Sequence, residues 1–229
     1  MARTPRLAPL DPGSKHVQLS EKVAHRVREA IMVGDLRSPD YIRTEQLAAD
    51  LGVSPTPVRE ALMVLASEGS VKWEPRRGFR VVHLSAQDIR DLFSVQAYIA
   101  GELAARAAVN LTEEQLIELS DIQKQLRAEH KVGNFTGVDE LNHQIHRTIN
   151  TAAASVRMAN LLRNTVQYVP LSSYGEVTGW STASANDHGP ILKAFKERDA
   201  RSARAAMTSH IDHVGDLLVA HLKKHINLD

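Results

Sequence analysis

From Ser20 the chain carries apolar residues at four-residue spacing, Val23, Val27 and Ile31 on one face. Gly34 ends the run, so residues 20–34 predict an amphipathic helix. A second, shorter helix follows, with Thr44 as its N-cap, Leu47, Ala48 and Leu51 as its apolar face and Gly52 where a C-terminal cap belongs. Ser54 then caps a third helix whose first turn holds Pro55 and Pro57, the one part of a helix where missing amide donors cost little; it buries Val58, Leu62 and Leu65 and ends at Gly69. Beyond Gly69 the period drops to two. Val71 and Trp73 alternate with Lys72 and Glu74, the turn Pro75-Arg76-Arg77-Gly78 follows, and Phe79 and Val81 alternate with Arg80 and Val82, which predicts a hairpin with a basic tip. Helix, helix, tight turn, helix and hairpin make a winged helix-turn-helix over residues 17–83. Residues 1–16, with Pro5, Pro9, Pro12 and no apolar period, predict a flexible arm.

After Ser85 the pattern is helical throughout. Capping boxes at Ser85-Ala86-Gln87-Asp88 and Thr112-Glu113-Glu114-Gln115 open two helices, and others are expected near 135–150, 155–172, 186–198 and 200–225, with Ser172 to Thr182 as a loop. Residues 87–229 thus predict an antiparallel all-α bundle, and the whole chain a mainly α protein of two domains. A length of 229 residues and 43% hydrophobic content agree with two modest folded domains. The absence of Cys removes disulfides, thiolate zinc sites and cysteine nucleophiles together. No run of ~18 apolar residues occurs, and MARTPRLAPLDPGSKH lacks the apolar core of a secretory signal, so the expected compartment is the cytoplasm and no membrane partner is expected. The balance of 28 basic against 27 acidic residues hides a small cationic surplus up to residue 82 and an anionic one after it, where nine of the 11 histidines lie.

In a winged helix-turn-helix the third helix enters the major groove of double-stranded DNA by its N-terminal turn, and the hairpin reaches phosphates or the minor groove alongside. Ser54, Thr56 and Arg59 occupy that turn. Unpaired helix amides and Ser54 suit a phosphate, and Arg59 can pair bidentately with guanine or clamp a phosphate. Arg76 and Arg77 at the wing tip add charge contacts whose strength falls with salt. Singly, each residue is equally a cap, a surface charge or an exposed turn; jointly they fall on the one surface that the motif presents.

The bundle carries histidines where a core is expected. His188 begins the series 188, 191, 192, 195 with Ile191, Leu192 and Phe195, and His210 falls in the series Met207, His210, Val214, Leu217. Beside the apolar stripe Leu141, Ile145, Ile149 runs a row with Asn142 and His146 four residues apart, stacked on one helix face. Two side chains one turn apart plus one from each of two other helices is how a bundle builds an internal site for Zn, Ni, Cu or Fe. Spacing alone leaves hydrogen-bonded core histidines equally open. His130, His143, His213, His221 and His225 read as surface or filler, with His143 the rival of His146 for the inward position.

These residues carry a family resemblance. The stretch LAADLGVSPTPVREALMVLASEG, from Leu47, resembles the helix-turn-helix signature of GntR-type bacterial regulators, and RRGFRV resembles their wing, over roughly residues 19–82. Pro55 stands where the family usually has a DNA-contacting Arg, and Ser38-Pro39-Asp40 replaces the usual Pro-Gly, so the resemblance carries over Ser54, Thr56 and Arg59 only. NHQIHRTINTAAAS and DHGPILKAFKERDARSARAAMTSHI resemble the FCD ligand-binding domain of the FadR subfamily, over about residues 87–225. Asn142, His146, His188 and His210 match its ligand pattern one for one, which implies a divalent metal, zinc or nickel first, that helps hold a small carboxylate effector. Gln96 and Ala100 stand where the first helix often has Arg and Glu, and Asn142 replaces the commoner Asp, leaving the site less negative.

The resemblance implies a metal-dependent, ligand-responsive transcriptional regulator, a repressor, acting as a homodimer because two heads must meet two half-sites. A metal-dependent enzyme fused to a DNA-binding head is the alternative, although no HExxH and no acid or base beside the four ligands is present. A third is a DNA-binding module whose histidine-rich core is structural.

Overall fold

The computed structural model of the chain describes residues 16–168, 174 and 177–225. Residues 1–15 of the expected arm lie outside them. The chain divides into two units, one built chiefly from residues up to Ser85 and the other chiefly from Ala86 onward.

The first unit contains α1 (His16–Met32), β1 (Tyr41–Ile42), α2 (Thr44–Leu51), α3 (Pro55–Ser67), β2 (Val71–Glu74) and β3 (Gly78–Val81). Its core is the set that the periodicity selects: Val23, Val27, Leu51, Val58, Leu62 and Leu65 are fully buried. Each such side chain contributes about 1.5–3 kcal/mol relative to leaving it in water. Two caps differ from expectation. Thr44 is the first helical residue of α2 and Arg43 takes the N-cap place, without a side-chain cap bond. Ser54 does hold the N-cap position of α3, but its hydroxyl makes no cap bond. The far end of α3 is instead tied down by a bidentate ion pair, Arg28 Nε and Nη2 donating to Glu68 Oε2 and Oε1 at 2.8 and 2.6 Å.

The hairpin is the larger part of a three-stranded antiparallel sheet of order β1-β3-β2. Two-residue β1 is too short to leave a periodic trace, yet it pairs Ile42 with Phe79. Gly78, at φ 101°, is required there: a Cβ would lie 2.6 Å from the Ile42 carbonyl oxygen. Trp73 is on the same face of β2 as the buried Val71, as expected, but stays 53% exposed.

The second unit is helical: α4 (Ala86–Asn110), α5 (Glu113–Lys131), α6 (Phe135–Ala152), α7 (Val156–Gln167), α8 (Trp180–Lys196) and α9 (Ala200–His225). The box opening α5 is formed in both directions, Gln115 N–H donating to Thr112 Oγ1 and Thr112 N–H to Gln115 Oε1. Helix α7 ends five residues before the expected 172. Helix α8 begins at Trp180, six residues ahead of the expected 186, and takes in the end of the expected loop, of which residues 172, 173, 175 and 176 lie outside the described ones; its first turns bury Ser181, Ala183, Ser184 and Ala185, small residues that pack closely without an apolar period. Helices α4 and α9 run antiparallel at close range: Thr208 Oγ1 donates to the Ala97 carbonyl, and a Cβ at Gly215 would lie 2.7 Å from Phe93 Cγ. Pro190 lies inside α8, where it has no N–H for the carbonyl one turn back.

Candidate functional site

In the first unit Ser54, Thr56 and Arg59 share the N-terminal turn of α3 and are exposed, while the neighbouring Pro57 and Val58 turn into the core. None of the three makes a side-chain hydrogen bond or ion pair within the described residues. The fold thus presents an unsatisfied helix N-terminus, two hydroxyls and one uncommitted guanidinium on one surface, a set of donors suited to phosphates and base edges.

At the wing, Arg76 is exposed and holds a left-handed backbone at φ 64°. Arg77 is engaged: its Nη1 donates to Tyr41 Oη at 3.3 Å and its guanidinium lies 5.9 Å from the Tyr41 ring centroid. Tyr41 Oη in turn donates to Glu74 Oε2 at 2.7 Å, and Arg80 Nε donates to Glu74 Oε1 at 2.8 Å. The Tyr41 hydrogen bond, followed by that of Arg80, holds the Glu74 carboxyl below its usual range. Sequence reasoning missed Tyr41, whose role depends on the unforeseen strand β1.

In the second unit α6, α8 and α9 bring His146, His188 and His210 together, with one nitrogen of each within 4.8 Å of the others. His146 and His210 stack with ring centroids 5.4 Å apart, and His188 meets both edge-on, at 5.4 and 4.7 Å. His188 and His210 are buried. Burial first, then the neighbouring His210 and His143, brings His146 down to about 3, and burial with His210 and His146 takes His188 well below the imidazole range. Both are therefore neutral at pH 7, the state in which imidazole binds metal. His143, the rival for the inward position, is exposed and lies 3.6 Å from Asp139.

Each buried imidazole spends Nδ1 on a partner that the sequence did not mark. His188 Nδ1 lies 2.8 Å from Gln123 Oε1. Asp187 Oδ2 faces His210 Nδ1 at 3.4 Å and His213 Nδ1 at 2.8 Å. Burial pushes Asp187 up, but the bonds from His210 and His213 outweigh it and leave its carboxyl below the usual range. Such partners orient ligating histidines and raise their basicity. His213, read as surface, thus shares a carboxylate with the buried cluster. His130, also read as surface or filler, is half-buried, its Nδ1 2.7 Å from the Ser181 hydroxyl; the side chain of His225 lies outside the described residues.

Two buried polar atoms at this site have no hydrogen-bond partner, His188 Nε2 and Asn142 Oδ1. Orphaned acceptors of this kind are costly unless something meets them. Asn142, His146 and His210 line a cavity of about 820 Å³ that is also bounded by Gln96, Arg147 and Arg163. Gln96 donates to the Thr165 carbonyl at 3.1 Å, so its amide is committed to holding α7. A divalent ion fits this donor set: three neutral imidazoles and an amide oxygen, two of the donor atoms otherwise unsatisfied.

Comparison with known proteins agrees in both units. Residues 19–81 match the bacterial regulatory proteins of the gntR family, and residues 91–213, more than half the chain, match the FCD domain. The HTH-type transcriptional regulator YdhC of Bacillus subtilis is 25% identical over 195 residues, covering 82% of this chain and 86% of that protein. The HTH-type transcriptional repressor RspR of Escherichia coli is 27% identical over 175 residues, 75% of this chain and 76% of its own. Among solved structures, E. coli McbR/YncC superposes with a TM-score of 0.64 at 20% identity, covering 90% of this chain and 97% of that one, a likeness of fold. No helix among the described residues is long and apolar enough to cross a membrane. The chain belongs to the GntR family of DNA-binding transcriptional regulators, with an FCD effector domain behind its winged helix-turn-helix, and is not an enzyme.

Proposed function

We propose that this regulator is a metal-dependent repressor that works as a cytoplasmic homodimer and answers to a small carboxylate effector. The observation that carries the reading is the pair of buried, unpartnered acceptors, His188 Nε2 and Asn142 Oδ1, beside two further imidazoles. Asn142, His146, His188 and His210 would hold a zinc or nickel ion, which would supply a Lewis-acidic centre with positions left for water or an acid's oxygens. Arg147 and Arg163, on the same cavity, provide the cationic charge that Gln96 does not. A repressor role is supported by RspR and by the probable D-xylose utilization operon transcriptional repressor of Paenarthrobacter nicotinovorans, 26% identical over 196 residues.

On DNA, Ser54 and Thr56 would meet phosphates, Arg59 a base edge or phosphate, and Arg76 and Arg77 the backbone beside the wing. Two heads reading two half-sites require two chains. An effector shifts DNA affinity only as far as it prefers one conformational state of the protein, typically ~1–3 kcal/mol.

The test begins with metal analysis of the purified protein and zinc or nickel reloading after chelation. A panel of small carboxylic acids is then screened by thermal shift with and without the ion. Operator duplex, selected from a random pool, and the best acid are titrated separately and together in wild type and His146→Ala. An ion-dependent acid that changes operator affinity in wild type alone is expected. Protein that cannot be loaded with either ion, or an acid that binds equally well with and without operator, would overturn the reading.

A further inference from the structure

Four helices surround the histidine cluster, yet α5 supplies no ligand to it. We propose that Gln123 of α5 is a positioning residue, which holds His188 in the tautomer with hydrogen on Nδ1 and a lone pair on Nε2 and thereby sets the site's affinity for a divalent ion. The proposal rests on the metal reading above and extends it to a side chain that touches no ion.

The hydrogen-bond chemistry permits one arrangement. Gln123 is 3% exposed and stands in the buried row Leu116, Leu119, Leu126 of α5, where an amide is costly unless every polar group is used. All are used. Its Nε2 donates to the Ala185 carbonyl at 3.0 Å and to that of Ser184 at 3.4 Å. Carbonyl oxygens only accept, so the amide cannot be flipped without setting its own oxygen against two others. The oxygen Oε1 is therefore the atom facing His188 Nδ1 at 2.8 Å, and because an amide oxygen only accepts, Nδ1 must carry the hydrogen. A neutral ring then has its lone pair on Nε2, the atom left buried without a partner.

Helix α8 supplies the other half of the clamp. Arg127 Nε, also from α5, donates to the Ala185 carbonyl at 2.9 Å, so two side chains of α5 meet that one oxygen. The carbonyls that orient Gln123 are thus on the same helix as the histidine that Gln123 orients. Register of α5 on α8 and tautomer of His188 become one property. A hydrogen-bonded neutral imidazole takes the tautomer that its partner dictates; with an apolar neighbour at 123, hydrogen on Nε2 would satisfy that nitrogen's surroundings no worse and would close it to metal.

The full chain labelled with ¹⁵N-histidine, stripped of metal, is examined by long-range proton–nitrogen spectra of the imidazole rings, and zinc affinity is measured by competition with a chromophoric chelator. In wild type His188 should show a pyridine-like Nε2 and a pyrrole-like Nδ1. Gln123→Leu should lose that pattern and bind zinc roughly 10–100-fold more weakly, while circular dichroism stays that of wild type. A wild-type His188 with hydrogen on Nε2 overturns the proposal whether or not Gln123→Leu folds, and so does a folded Gln123→Leu with unchanged tautomer and zinc affinity. Wild type that takes up no zinc refutes the metal reading and the affinity half of the proposal with it, whereas the ring spectra still decide the tautomer.

Discussion

In the first unit the side chains proposed to meet DNA, Ser54, Thr56, Arg59, Arg76 and Arg77, are exposed and all but Arg77 are uncommitted, whereas in the second His188 and His210 are 1% and 3% exposed and each has one nitrogen already engaged. Exposed polar groups cost a fold almost nothing, and changing them usually moves stability by less than ~0.5 kcal/mol. Buried ones carry a desolvation cost of roughly 1–3 kcal/mol each when left unpaired. Function and folding are therefore separable by mutation in the first unit and are one free energy in the second, where metal binding would contribute to stability directly.

The largest effect expected from that contrast is loss of the ion. Wild type should carry about one divalent ion per chain, and His188→Ala or His210→Ala should carry none and melt no higher than chelated wild type. Elemental analysis with thermal melts decides it; a mutant that keeps its metal would erase the distinction between the units.

Next comes a position where the first unit breaks its own rule. Arg28 and Glu68 are nearly as buried as the histidines, with side chains 8% and 11% exposed. Arg28→Ala strands a carboxylate against the core and should destabilise the unit by about 3–5 kcal/mol, read by urea unfolding.

Acid should separate the units as well. For the metal-free protein the unfolded chain's imidazoles take up protons near 6.5, while folded His146 refuses one until about 3. The unfolded state binds more protons throughout that window, so stability is complete above 6.5 and falls as pH drops through it. Chelated wild type melted at pH 7.5, 6.5 and 5.5 should show the decline, and His146→Phe a smaller one; equal slopes would place the cause elsewhere.

Arg59→Ala should abolish specific operator binding at a fixed salt concentration, a loss of ~1–3 kcal/mol, with an unchanged melt; Arg77→Ala should weaken all sequences alike and flatten the salt dependence. The smallest change is Arg76→Gly. Relief of the left-handed backbone should raise stability by less than ~1 kcal/mol while lowering the slope of DNA affinity against salt by about one phosphate contact. A destabilised Arg76→Gly would mean that the wing tip is held by something other than its turn.

Most of the framework was readable because it is periodic. Val23, Val27, Leu62 and Leu65 mark helix faces that nothing else explains, and His188 and His210 were found because they fall in register with Ile191, Phe195 and Met207. What was missed lacks period or length. Two residues of β1 give no alternation, and Ser181 to Ala185 form helix through small side chains that leave no apolar stripe. Asp187 adjoins His188 and looks like any surface acid. Gln123 alone left a trace, an amide in the row Leu116, Leu119, Leu126, but its meaning depends on two carbonyls of another helix that no linear pattern names.

The carboxylate that Asp187 shares between His210 and His213 has a consequence for how this protein could be altered. His213 is at the surface, its side chain 49% exposed, and it is one hydrogen bond from the oxygen that also faces a buried imidazole. A lysine, a glutamine or a chemical label at 213 would change the charge and hydrogen bonding at that oxygen, and hence the partner that His210 Nδ1 faces, with the walls of the cavity untouched. The buried cluster is thus within reach of a surface position that does not itself line the cavity.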